Sequence, residues 1–234
     1  QSFLVNSDNV CLSIENKDYT YSQVLTYSHQ IRNQIEKFPS NNIGIYLTDD
    51  VFMYASILAI WMEGKTYVPI HPDFPFSKNV NVINQAEIEV VLSSVKIEED
   101  FNINIIDSKE NFGIKTLAPK NSPIENNAYI LFTSGSTGNP KGVPITFSNL
   151  YYFAEAFHTT FGELNSQDSV LQMFELTFDL SVMSYLIPWF KGAKVVSLHK
   201  KETKSLQILD LLEANEITIA LMVPSILNLI IPYL

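Results

Sequence analysis

Cysteine occurs once in the 234 residues, at Cys11, which excludes an internal disulfide and a thiolate zinc cluster and fits a reducing, cytoplasmic setting. Basic residues are also scarce: 15 Lys and Arg stand against 25 Asp and Glu, a formal net charge of −10. A field of that sign repels nucleic acid, so no nucleic-acid partner is expected. Any bound polyphosphate must then be held by local groups. Charged residues make up 17% and hydrophobic residues 46%, which argues against disorder and supplies a sizeable core. No basic segment precedes an apolar run at the N-terminus, so no signal peptide is expected. The run from Phe52 to Met62 is too short to cross a bilayer. Pro224, Ser225, Asn228 and Pro232 interrupt the run at 217–234, so no membrane span is expected either. His71, His158 and His199 lack ligand spacing, and no metal site is assigned to them.

What is present is an alternation of apolar periods. Strands are expected at 43–47, 67–70, 89–93, 103–106, 128–132, 169–173, 193–198 and 217–223. Between them, helices are expected near 24–35, 50–62, 180–190 and 205–215, a short one from Ser77, and one capped by Ser148. Tyr151, Tyr152 and Phe153 read as a core stripe of that last helix. Strands alternating with helices predict an α/β fold with layered, mainly parallel sheets covered by helices. Lys109 to Asn127 is polar, carries Pro119 and Pro123, and reads as a linker. The expected organisation is a first α/β part at 1–118 and a second part at 119–234 that carries the chemistry.

The most informative stretch is the strand at 128–132 and the loop it delivers: Thr133, Ser134, Gly135, Ser136, Thr137, Gly138, Asn139, Pro140, Lys141 and Gly142. Glycines let backbone N–H groups converge on an anion. The four hydroxyls add donors without bulk, and Lys141 adds the positive charge that a polyphosphate needs. The spacing is not that of the common G-x-x-x-x-G-K-[ST] loop, because Gly135 and Gly138 are three apart and Gly142 follows Lys141. The bland alternative is a flexible surface loop of similar composition.

The loop resembles the phosphate-binding loop of the adenylate-forming superfamily, which includes acyl-CoA synthetases, luciferase and peptide-synthetase adenylation domains. The stretch from Leu58 to Pro72, the run Phe178-Asp179-Leu180-Ser181-Val182 and the run from Ala220 to Ser225 are similar to further family segments in the same order. The resemblance implies activation of a carboxylic acid by ATP and Mg2+ as an acyl-adenylate, followed by transfer to a carrier-protein thiol or CoA. It implies that Thr133, Ser134, Gly135, Ser136, Thr137, Gly138 and Lys141 hold the phosphates. Around Phe178 the chain is similar to D-alanine–carrier-protein ligases, in which the Asp of this motif holds the substrate's ammonium group. Phe178, Asp179, Leu180 and Met183 are then the substrate-binding candidates, with Asp179 expected as a buried carboxylate needing a cation. A plain helix-start carboxylate is the other reading of Asp179.

No catalytic residue is assigned. Segments through which the family holds adenine, ribose and magnesium, and its C-terminal lysine, do not follow Gly142. With the apolar run ending at Tyr233 and Leu234, this predicts an incomplete N-terminal domain that does not turn over substrate alone. An aryl- or fatty-acid-CoA ligase and a non-catalytic nucleotide-binding remnant remain the alternatives.

Overall fold

A computed structural model describes residues 2–111, 113, 118–134, 140–198, 203–214 and 216–233. The chain divides into two compact units that do not follow sequence order: Val24–Thr160, and Gln1–Gln23 together with Phe161–Leu234. Position 118/119 therefore lies inside the first of these. The chain opens with α1 (Ser2–Val5), β1 (Val10–Ile14), β2 (Lys17–Thr20) and α2 (Tyr21–Ile35), the last crossing from one unit into the other.

The unit at 24–160 continues with β3 (Asn42–Tyr46), α3 (Val51–Met62), β4 (Thr66–Ile70), α4 (Phe76–Gln85), β5 (Val90–Ser93), β6 (Asn104–Asp107), β7 (Asn127–Ser134), β8 (Pro140–Thr146) and α5 (Phe147–Phe161). Its sheet has the order β6-β5-β3-β4-β7-β8 and is parallel except for β8. Asp50 caps α3 by accepting from the N–H groups of Phe52 and Met53, and Gly64 turns the chain out of it at φ +68°. Apolar all round, α3 is buried, and its Trp61 indole N–H reaches the Ala128 carbonyl at 2.9 Å. On the other face Val82 and Ile83 of α4 pack in one cluster with Val68, Ile70, Val91, Ile130 and Phe132.

Three features depart from expectation. The polar stretch 109–127 is pinned where it is described. The Arg32 guanidinium donates to Glu63 Oε1 at 2.9 Å and to the Ala118 carbonyl at 3.2 Å, while the Lys120 ammonium faces Glu63 Oε2. Thr146, not Ser148, caps α5: its hydroxyl accepts from Asn149 N, and Asn149 Oδ1 accepts from Thr146 N. Tyr151, Tyr152 and Phe153 are 56%, 65% and 42% exposed, because α5 buries only Leu150 and Ala154.

The second unit adds β9 (Ser169–Gln172), α6 (Asp179–Lys191), β10 (Lys194–Ser197), α7 (Lys204–Glu213), β11 (Ile219–Ala220), α8 (Pro224–Ile230) and a short 3-10 turn to Tyr233. Its sheet has the order β11-β9-β10-β1-β2, parallel except for the β1–β2 hairpin. The strand expected at 217–223 shortens to two residues. Tyr21 donates its hydroxyl to the Ala193 carbonyl at 2.7 Å beside the buried Cys11, whose thiol burial pushes up. Among the described residues no helix is long and apolar enough to cross a membrane.

His29 on α2 is buried, and its Nδ1 has no hydrogen-bond partner among the described residues. Burial first, and then the Arg32 guanidinium, hold its pKa below the ordinary 6.5. The folded chain thus keeps His29 neutral where the unfolded chain protonates it. That contribution to stability is complete above about pH 6.5 and is lost as pH falls toward the folded value. Urea unfolding should show stability declining from pH 7.5 to 5.5, with a shallower decline in His29→Gln; equal slopes would mean that another group carries it.

Candidate functional site

The hairpin formed by β7 and β8 supports the Gly/Ser/Thr loop. Ala128, Tyr129 and Leu131 bury β7 inside the sheet, one strand from its edge. The pairing runs from Asn127↔Thr146 to Thr133↔Lys141 and Ser134↔Pro140. Side chains alternate along strands, so Tyr129, Leu131, Thr133, Lys141, Val143 and Ile145 share one face, while Ile130, Phe132 and Gly142 lie on the other. Direct cross-strand partners stand about 5 Å apart at Cβ. The Thr133 hydroxyl and the Lys141 chain are therefore neighbours, both exposed, where β7 leaves the sheet. Lys141 has no carboxylate partner among the described residues. Gly142 keeps the return strand close: a Cβ there would stand 3.0 Å from both Ile130 Cγ2 and Phe132 Cζ.

Ser134 ends β7 in backbone terms. Gly135, Ser136, Thr137 and Gly138 lie outside the described residues, as does His199. Because β4 and β7 are parallel, the loop leaves at the carboxyl edge of the sheet, where open α/β sheets bind ligands.

The second candidate element follows β9 in the other unit. Phe178 stands before α6 in an extended conformation, with φ −109° and ψ 139°, and Asp179 opens the first turn. The motif's serine does structural work. Ser181 is buried and donates its hydroxyl to the Phe178 carbonyl at 2.6 Å, fixing the entry of the chain into the helix. The sequence reading did not give Ser181 that role; the signal was a hydroxyl three residues after Phe178, the residue that precedes the helix. Asp179 corrects an expectation: it is exposed rather than buried, and its Oδ1 accepts from the neighbouring Leu180 N–H at 2.9 Å. Phe178 is 59% exposed, and Leu180 and Met183 are half-buried. The described groups include no set of three or more His, Cys, Asp or Glu that could hold a metal. A separate cleft in this unit is lined by Glu15, Asp210 and Glu216, carboxylates that disfavour a phosphate.

Residues 3–234 match the family model described as AMP-binding enzyme. The chain belongs to the AMP-binding enzyme family. Within that family it is 28% identical over 232 residues to tyrocidine synthase 3 of Brevibacillus parabrevis, covering 95% of this chain and 4% of that protein. It is 26% identical over 213 residues to the D-alanine–D-alanyl carrier protein ligase of Lactococcus lactis subsp. lactis (strain IL1403), covering 86% of this chain and 42% of that ligase. The fold matches the Vibrio cholerae adenylation domain AlmE, solved in complex with glycyl-adenosine-5'-phosphate. The TM-score is 0.81 at 21% identity, over 97% of this chain and 49% of that one. This AMP-binding chain thus spans less than half the length of each of these relatives.

Proposed function

We propose that this chain carries the phosphate-binding and substrate-recognising elements of an AMP-forming ligase that activates an amino acid for transfer to a carrier-protein thiol. The observation that carries the reading is the pairing of Thr133 with Lys141 across the two strands that flank a Gly/Ser/Thr loop. An ammonium beside a hydroxyl at the carboxyl edge of a parallel sheet fits a polyphosphate, and supplies locally the charge that a chain of net charge −10 does not supply globally. In this reading Thr133, Ser134, Gly135, Ser136, Thr137, Gly138 and Lys141 hold the β- and γ-phosphates of ATP.

The substrate's carboxylate oxygen attacks the α-phosphorus, an O–P bond forms, and the bond to the β-phosphate oxygen breaks, releasing pyrophosphate. The loop neutralises charge on that leaving group, a contribution of position and electrostatics. A thiol sulfur then attacks the acyl carbon, AMP departs and the thiol proton passes to solvent. Mg2+ would be carried in with ATP rather than in a dedicated protein cage. It would supply further charge neutralisation.

Phe178, Asp179, Leu180 and Met183 are the substrate-facing residues of this proposal. Asp179 has no cationic side chain bonded to it among the described residues, and a substrate ammonium supplies one. The glycyl-adenylate bound to AlmE and the D-alanyl activity in the Lactococcus ligase's name favour an amino acid over an aryl or fatty acid.

ATP–pyrophosphate exchange by the full-length protein tests the phosphate half. Lys141→Ala should weaken ATP use by about 1.5–3 kcal/mol, and Thr137→Val should act in the same direction. Unchanged exchange in both variants would remove the loop from the ATP site. For the substrate half, Asp179→Asn should weaken use of the amino acid by about 1.5–3 kcal/mol while leaving the KM for ATP alone. A deaminated analogue should lose little in the variant, and the two changes form a cycle whose coupling isolates the pair. Preserved selectivity in Asp179→Asn would reduce the residue to a helix-start carboxylate.

A further inference from the structure

The turn after β4 and the start of α4 hold three side chains that the reading above does not use. The buried His71 ring stacks on Phe74, with centroids 4.6 Å apart and planes inclined by 23°. On α4, the Lys78 ammonium sits over Phe74, 3.3 Å from its ring centroid. The turn is fixed from several directions. His71 Nδ1 accepts from Asp73 N at 3.1 Å, and the His71 carbonyl accepts from the Asn79 side chain at 2.8 Å. Lys78 is half-buried and makes no ion pair among the described residues; even Asp73, five positions away, does not bond it.

Its position gives this cation a use. Tyr67 of β4 lies opposite Tyr129 of β7 in a parallel pair. His71 follows the last residue of β4, and Thr133 lies near the end of β7, so both are at the carboxyl edge of these two neighbouring strands. The helix that carries Lys78, α4, packs against β8, the strand that brings Lys141 back from the loop. A half-buried ammonium held on an aromatic ring has lost part of its hydration and lacks a carboxylate, so an anion at this edge would complete it.

We infer that Lys78, held by Phe74 and His71, is a second cation of the polyphosphate site and binds the phosphate chain that leaves as pyrophosphate. Lys141 stands on the α3-facing side of the β7–β8 hairpin, whereas α4 covers the opposite side. The two ammonium groups thus serve the phosphates from either side of the strand pair. This inference rests on the reading of the loop as a phosphate site, and its test separates the two.

The measurement is ATP–pyrophosphate exchange in the full-length protein, with KM determined for ATP, pyrophosphate and the acid, and a melting temperature for each variant. Lys78→Gln should raise the KM for ATP and for pyrophosphate about tenfold and leave that of the acid within about twofold. Lys78→Arg should restore most of the loss, since charge over the ring is kept. Unchanged phosphate-substrate KM values in Lys78→Gln, with Lys141→Ala impaired, would overturn the inference and leave the loop reading standing. Unchanged values in both variants would overturn both. An equal rise for all three substrates with a lowered melting temperature, not rescued by arginine, would also overturn it, making the stack a structural brace.

Discussion

The register between β7 and β8 is the constraint on which the candidate site depends. With Thr133 opposite Lys141, hydroxyl and ammonium share a face at the sheet edge. A slip of one residue would turn Lys141 to the side that holds Ile130, Phe132 and their apolar cluster, away from Thr133. Burial enforces the correct setting. Tyr129 and Leu131 point to the α3 side, Ile130 and Phe132 to the α4 side, and Gly142 fits between Ile130 and Phe132. The pairing of Thr133 with Lys141 therefore inherits its geometry from apolar packing several residues below it.

The approach of the chain to β7 is held by charge instead. Glu63 is fully buried between Arg32 and the ammonium of Lys120, and Lys120 N also donates to the Met62 carbonyl at 2.8 Å. Such a network is weak support for net stability, because desolvation offsets the attraction. Loss of one partner, though, would strand a buried charge at a cost of about 3–5 kcal/mol. Its effect is positional: the stretch around 118–123 is tied to the ends of α2 and α3 immediately before β7 begins.

Much of this was legible in the sequence, for physical reasons that also explain the gaps. The apolar runs at 128–132 and 52–62 placed β7 and α3 nearly at their observed limits. Strand β8 was invisible because Pro140, Gly142 and Pro144 are poor strand residues. They are tolerated because β8 is an edge strand and all three share one parity, on which no ladder donor is needed. The β1–β2 hairpin turns on Glu15 and Asn16 at φ 51° and 60°, a two-residue turn without the usual glycine signal. Periodicity on α5 misplaced the aromatic stripe, since a helix presents several faces and only Leu150 and Ala154 face the core. The ground for proposing a phosphate loop was readable from residue types alone. The exposure of Asp179 was not, because composition around a residue says nothing about how the helix start is presented.

Hydrogen exchange of the full-length protein with and without ATP and Mg2+ tests the central claim most directly. Binding at the hairpin should slow exchange of backbone amides in 129–146, with the largest change adjoining 133–141, because donated and ordered amides open less often. Unaltered exchange across β7, β8 and the loop at saturating ATP, with protection appearing elsewhere, would contradict the account.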